Sequence, residues 1–211
     1  MKNVMTLGAS SLLIILAACA QSAPASTEAD TQGPAAAAQA TTTVLTQTPT
    51  APVAKTSPTP DVIYVPTPQP VVDAMLKLAR VRAGDVLYDL GSGDGRIPVT
   101  AARDYGIRAI GIDIDPQRIA EAEANVRSNK VGKLVTIRQG DLFQADISDA
   151  SVVTLYLLDS LNEKLRPKLL RDLRPGTRIV SHSFRMGDWE PEASQNINGS
   201  MIYLWTVPKR K

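Results

Sequence analysis

The feature that most constrains this chain is the run from Asp85 to Arg96, DVLYDLGSGDGR. A short apolar strand, Asp85 to Leu90, passes directly into Gly91, Gly93 and Gly95, and Ile97 to Tyr105 then repeats at helical spacing. Glycine permits the positive φ values of a tight turn and leaves no side chain between the backbone and a bound ligand. A strand, a glycine turn and a helix in this order predict a parallel α/β sheet with a ligand site at the strand's C-terminal end.

The rest of the chain repeats that alternation. Thr67 and Pro68 predict a helix start by N-cap and N1 proline, with Val71, Val72, Met75, Leu76 and Ala79 on one face. Ile107 to Asp113 predicts the second strand, and Asp115-Pro116 opens a helix carrying Ile119, Ala122 and Val126. Leu134 to Arg138, Ser151 to Leu157 and Thr177 to Ser183 read as further strands. Ser160 and Glu163 match a capping box before Leu161, Leu165, Leu169 and Leu173, with Pro167 predicting a kink or a late start. Asn198-Gly199 ahead of Met201 to Val207 signals a closing hairpin. The fold class is α/β, a mostly parallel sheet covered on both faces, with a C-terminal antiparallel hairpin strand.

Ahead of this domain the composition changes. Met1-Lys2-Asn3 precedes an almost unbroken apolar run from Leu7 to Ala18. That run is shorter than the roughly 20 residues a membrane-spanning helix needs, and it predicts a secretory signal. Leu16-Ala17-Ala18-Cys19 resembles a bacterial lipobox, which implies cleavage after residue 18 and lipid attachment to Cys19, the chain's single cysteine. Residues 20–60 hold 11 Ala, 10 Thr and 6 Pro among 41 residues, with no aromatic residue and three charges. Such a segment buries too little apolar area to offset ordering and is expected to be a tether. The domains expected are therefore 1–18 signal, 19–60 lipidated cysteine and tether, and 61–211 folded domain. The address implied is the cell envelope, on the outer membrane facing the periplasm, with the membrane as a partner through Cys19.

Net charge is +2, from 23 basic and 21 acidic residues, which gives no electrostatic reason to expect nucleic acid. One Cys and one His exclude an intrachain disulfide and argue against structural zinc, so no metal site is expected.

The unusual residues of the domain gather at predicted strand ends. Asp89 closes the first strand, and Asp113 closes the second, where an acid can accept hydrogen bonds from a ribose diol. Gly140-Asp141-Leu142 follows the third, offering an acid and an apolar neighbour to an adenine edge and face. A dinucleotide fingerprint needs G-x-G-x-x-G, whereas this chain has G-x-G-x-G with Arg96 three residues after Gly93. Asp94 and Asp89 beside a pyrophosphate would repel it, but they suit a sulfonium and an amine. The residues thus favour S-adenosylmethionine over NAD, with an NAD-binding oxidoreductase and a non-catalytic nucleoside-binding lipoprotein as the alternatives. No P-loop is present.

DLGSGDGR at 89–96, with Gly111-Ile112-Asp113 and Gly140-Asp141, resembles the class I S-adenosylmethionine-dependent methyltransferases. That resemblance implies a Rossmann-like seven-stranded sheet ordered 3-2-1-4-5-7-6 with strand 7 antiparallel. It also implies a donor site in which Asp89, Gly91, Gly93, Asp94 and Gly95 meet the methionine part, Asp113 the ribose, and Asp141 with Leu142 the adenine. Tyr64 to Pro68, Glu163 to Leu165, Phe184-Arg185 and Trp189 to Pro191 are similar to a small family of protein lysine N-methyltransferases, whose eukaryotic members act on mitochondrial membrane proteins. His182-Ser183 and the acid Asp113 differ from that family's usual residues. Methyl transfer mainly requires alignment, an unprotonated nucleophile and exclusion of water. Tyr64, Thr67 and Asp159 are the catalytic candidates, Asp159 as a proton acceptor or an orienter of an amine. Tyr156 is a further candidate beside the donor methyl but reads mainly as strand core, and His182 as a structural or solvent-exposed histidine. The acceptor expected is a protein or a small molecule. An exported domain of this kind must obtain a donor that is made in the cytoplasm.

Overall fold

The computed structural model describes residues 64–210, so the expected signal, lipobox and tether all lie outside the described residues. The elements alternate from the start: α1 (Gln69–Leu78), β1 (Val86–Leu90), α2 (Arg96–Tyr105), β2 (Arg108–Asp113), α3 (Pro116–Ser128) and β3 (Val135–Gln139). Then follow β4 (Val152–Leu155), α4 (Asp159–Asp172), β5 (Arg178–His182), β6 (Ala193–Ile197) and β7 (Ser200–Thr206). One seven-stranded sheet results, ordered β3-β2-β1-β4-β5-β7-β6. β1 to β5 pair in parallel, and β7 runs antiparallel to β5 and β6. Both the order and the antiparallel hairpin strand agree with the expectation.

Successive residues of the central strands feed two separate cores. Leu87, Ala109, Val152 and Val180 pack with the apolar faces of α1 and α2. Tyr88, Ile110, Val153 and Ile179 pack on the other face with Leu165, Leu169 and Leu173 from α4 and its C-cap. Burying each such aliphatic side chain contributes roughly 1.5–3 kcal/mol, and the double cover explains why β4 is buried at every residue. At the hairpin tip Asn198 (φ +51°) and Gly199 (φ +92°) both take the left-handed geometry that a two-residue turn of type I′ needs.

Several local expectations change. The N-cap of α1 is Pro68, with no side-chain cap bond, and Pro70 rather than Pro68 lies within the first helical positions. Thr67 Oγ1 instead faces His182 Nδ1 at 3.2 Å. In α3 the expected cap forms, Asp115 accepting from the Gln117 amide at 2.8 Å. The capping box of α4 does not form: Leu158 takes the N-cap, which places Ser160 inside the helix. The helix runs through Pro167 without a late start, surrendering one backbone hydrogen bond. β4 ends at Leu155, not Leu157, because its neighbour β1 ends at Leu90 and Gly91 (φ +82°) turns the chain away. Tyr156 is consequently not strand core.

At the N-terminal end of the sheet, buried Asp85 joins three strands. It accepts from the Ser151 hydroxyl (2.7 Å) and the Arg82 amide (2.8 Å), and pairs with the Arg178 guanidinium. Arg178 also donates to the carbonyls of Ala79 and Arg80, each at 2.8 Å. Burial pushes the Asp85 pKa up, but the Ser151, Arg82 and Arg178 bonds outweigh it and hold the carboxyl below its ordinary value.

Candidate active site

A cavity of about 590 Å³ opens at the C-terminal ends of the central strands. This is where open parallel sheets bind ligands, and the volume falls within the ~300–1,000 Å³ of small-molecule sites. Its floor comes from the strand ends and the glycine turn (Asp89, Gly91, Ser92, Asp113). Its walls come from the β3 exit (Gly140, Asp141, Leu142, Phe143) and the β4 exit (Tyr156, Leu157, Leu158). The segment Tyr64 to Thr67 crosses one side as a strap.

The glycine turn is shaped by contact as much as by conformation. A Cβ on Gly93 (φ +52°) would lie 2.2 Å from Tyr64 Cε2, and one on Gly95 (φ +73°) 2.9 Å from Ala122 Cβ. Gly93 therefore lets the Tyr64 ring lie on the turn, and Gly95 lets α3 approach it. Neither of these two glycines is among the lining residues, so they shape the site from behind. Gly111, in β2, makes room for Ser92, whose hydroxyl would be 2.8 Å from a Cβ there.

Asp89 is buried and accepts from the Thr154 hydroxyl at 2.7 Å. Burial, with a smaller contribution from the charges of Asp113 and Asp94, outweighs the Thr154 bond and pushes its pKa up to about 8. Asp113 serves the protein itself as well as the cavity: its Oδ2 accepts from the Gly93 amide (2.7 Å) and its Oδ1 from the Asp115 amide (3.0 Å). It thereby ties the glycine turn to the start of α3, and each oxygen retains a further lone pair. Asp141 is exposed at the rim and accepts from the Phe143 amide at 2.8 Å, with half-buried Leu142 beside it.

Asp94 is paired with Arg96 at 2.6 Å. Burial raises the Asp94 pKa, and the bonds and charge of Arg96 more than reverse this, leaving it below the ordinary value. Arg96, to which the sequence assigned no duty, also donates to the Thr67 carbonyl at 2.9 Å and so clamps the strap. A second clamp comes from Arg118, stacked 4.5 Å from the Tyr64 ring centroid. The Tyr64 pKa is raised, by burial first and by the Asp94 charge second, so the phenol is neutral.

Of the three catalytic candidates, Tyr64 and Thr67 line the cavity and Asp159 does not. Asp159 is exposed at the start of α4 and accepts from the Arg185 amide at 2.6 Å, which anchors the chain after β5. Phe143 and Phe184 line the cavity without being assigned to it from the sequence, and Tyr156, the candidate read mainly as core, lines it as well. Tyr156 stacks on buried His182 with centroids 3.9 Å apart and lies 6.0 Å from Phe184. Burial lowers the His182 pKa, so the imidazole is neutral. The aromatic content of Tyr156 and Phe143 is a signal shared with core residues, and Phe184 is marked in the sequence by the family resemblance without a role.

The cavity suits a nucleoside bearing a cationic amino-acid tail. The Asp89 carboxyl is buried beneath it with its pKa pushed up to about 8, and among the described residues the buried Ser92 hydroxyl has no hydrogen-bond partner. The floor thus offers an acid and a hydroxyl to a polar ligand, while the apolar walls suit a ring.

Comparison with known proteins agrees with this geometry. A family model described as the ANTKMT methyltransferase domain matches residues 89–193. The chain is 46% identical over 157 residues to a protein-lysine N-methyltransferase of Saccharolobus islandicus, covering 72% of this chain and 98% of that one. A chain of the domain's extent is therefore a whole protein in that organism. The mouse adenine nucleotide translocase lysine N-methyltransferase is 35% identical over 145 residues, 68% of this chain and 62% of its own length. A solved structure titled as an RNA methyltransferase from Salinibacter ruber, in complex with S-adenosyl-L-homocysteine, is 56% identical with a TM-score of 0.68, covering 70% of this chain and 96% of that one.

Proposed function

Since the chain belongs to the class I S-adenosylmethionine-dependent methyltransferases, in the family of the ANTKMT methyltransferase domain, we propose that its acceptor is the ε-amine of a protein lysine. The observation that carries this reading is the charge of the cavity. Apart from the buried Asp89 and the Asp94–Arg96 pair, its lining holds the carboxyls of Asp113, Asp115 and Asp141 against one guanidinium, Arg118, and no lysine. An acidic mouth attracts a cationic side chain and repels a phosphate backbone. The likeness to the archaeal protein-lysine N-methyltransferase supports the same choice.

In this reading Asp89 and the Ser92 hydroxyl meet the donor's amino-acid end, Asp113 its ribose, and Asp141 with Leu142 and Phe143 its adenine. When bound, the donor supplies a methyl on a sulfonium, already activated for in-line displacement. The chain's task is to deliver a neutral amine. Tyr156, Leu158, Leu161 and Phe184 form the apolar side of the cavity. They would accommodate the lysine stem and disfavour its ammonium form by desolvation. The neutral Tyr64 phenol on the strap would hydrogen-bond that amine, and Thr67, whose hydroxyl faces His182, would hold the strap beside it.

The test is methyl-label transfer by residues 61–211 to a lysine-containing polypeptide, the same polypeptide with acetylated lysines, a small amine and an RNA oligonucleotide. Label on lysine, absent after acetylation, is expected; label on RNA alone would overturn the proposal.

We propose also that the protein is held in the cell envelope by lipid on Cys19, at the outer membrane. The support is the sequence Leu16-Ala17-Ala18-Cys19 after a short apolar run. Palmitate labelling of the full chain in a double-membraned bacterium, present in wild type and lost in Cys19→Ser, is the expected result. Equal labelling of both would remove the anchor.

A further inference from the structure

The end of the sheet opposite the cavity carries the reverse charge. Loops at the N-terminal ends of the parallel strands, with the tail after β7, expose Arg80, Arg82, Lys130, Lys133, Arg174 and Lys209. Among the described residues none of these cations forms a salt bridge. Most carboxylates at this end are already engaged: Asp85 by Arg178, Asp104 by Arg103, Asp149 by Arg108, Asp172 by Lys168, and exposed Glu192 by the Thr206 amide and hydroxyl.

Arg80, Arg82 and Arg174 share the rim of one concave pocket of about 450 Å³ with Arg178 at its base. The position of Arg80 is over-determined. It holds a left-handed φ of +50°, uncommon for a residue with a side chain, and its carbonyl is pinned by Arg178. The buried Asp85–Arg178 pair therefore serves as the brace beneath a set of solvent-facing guanidiniums.

We infer that this basic end is a docking face for an anionic phospholipid bilayer. Guanidiniums bind phosphate bidentately, and several cations on one face add roughly in attraction to a charged membrane. A bilayer is favoured over nucleic acid by two observations. The exposed large apolar side chains of the described domain are Tyr64, Val65 and Leu158, all at the cavity end, so the basic end offers no aromatic platform for stacking bases. A polyanion held here is also a full sheet length from the donor cavity, where a nucleic-acid substrate would have to lie. The choice of a bilayer rests in addition on the proposed anchor, but the face itself does not. Without apolar residues to insert, adhesion is electrostatic and reversible, and the cavity faces away from the membrane.

The experiment uses residues 61–211, which lack the signal and Cys19, so that failure of the anchor cannot be mistaken for failure of the face. Co-sedimentation with vesicles of phosphatidylglycerol and phosphatidylcholine is compared with pure phosphatidylcholine and with a single-stranded RNA oligonucleotide. Partition onto anionic vesicles is expected at low salt, with release as salt rises. Arg80→Gln/Arg82→Gln/Arg174→Gln should weaken it by roughly 10²-fold, with unchanged thermal midpoint and S-adenosylhomocysteine affinity. The matching triple Lys variant should retain most of the binding. The proposal is overturned by equal partition onto neutral vesicles, by a triple Gln variant within twofold of wild type, or by tighter binding to RNA than to anionic vesicles.

Discussion

The two ends of the sheet are built from the same strands and put buried charge to opposite uses. At the N-terminal end Asp85 is fully partnered: a guanidinium, a hydroxyl and an amide surround it, and its pKa falls. At the C-terminal end Asp89, four residues along the same strand, is given one hydroxyl and two like-charged neighbours, and its pKa rises to about 8. The first arrangement is complete without a ligand and contributes stability. The second is incomplete and reserves its carboxylate for a cation. Only Val86, Leu87 and Tyr88 separate the two acids, so one strand carries a closed polar cluster at one end and a receptive one at the other.

The comparison breaks most sharply at Asp85. Asp85→Ala leaves half-buried Arg178 without its counter-charge, a loss of about 3 kcal/mol. A calorimetric melt should show a midpoint lower by roughly 10 °C, whereas donor affinity in the surviving folded protein should change less than twofold. A fall in affinity matching the fall in stability would mean the two ends are not separate.

Gly93→Val should give the converse. A branched side chain at φ +52° is strained and must displace the Tyr64 ring. Titration calorimetry should show donor affinity lowered roughly 10²-fold (about 2.7 kcal/mol), with a midpoint shift smaller than that of Asp85→Ala.

The charge state of Asp89 sharpens the contrast further. At pH 7 the unliganded carboxyl is mostly protonated, and a cationic donor favours the carboxylate. Binding should therefore release close to one proton, read from calorimetric heats in buffers of different ionisation enthalpy, and affinity should rise between pH 6 and 8. Asp89→Asn should abolish the release. Because the folded pKa lies above the unfolded value of 3.8, this group's contribution to the unliganded domain's stability declines as pH rises from about 4 to about 8. Proton uptake on binding, or none, would contradict this assignment.

The smallest effect belongs to the strap. Arg118→Gln removes the cation over Tyr64, worth about 0.5–1 kcal/mol at a partly exposed site. The donor KM should rise two- to fivefold with kcat little changed.

What the sequence made legible follows from distance along the chain. The glycine turn, the acid at Asp113, the Asp115 cap and the Asn198-Gly199 turn are local signals, each set by a few neighbouring residues, and each appears where expected. Thr67 was misread as a helix cap because its true partner, His182, is 115 residues away. The Asp85–Arg178 brace spans 93 residues and leaves no local pattern. Tyr156 was misplaced for a related reason, since a strand's end depends on where its neighbours stop pairing. Asp159 was weighed as a proton acceptor, and only the approach of the Arg185 amide reveals its duty as an anchor.

The bond between Thr67 and His182 has a consequence for timing. The strap is among the first parts of the domain to be made, and the fifth strand is among the last. The Arg96 and Arg118 clamps can form early, but the strap's bond to His182 cannot form until synthesis has passed β5, and contacts of such separation form late in folding as well. The strap's bond to the fifth strand is therefore among the last contacts of the cavity to form, and donor binding should report on the completed sheet rather than on its first half.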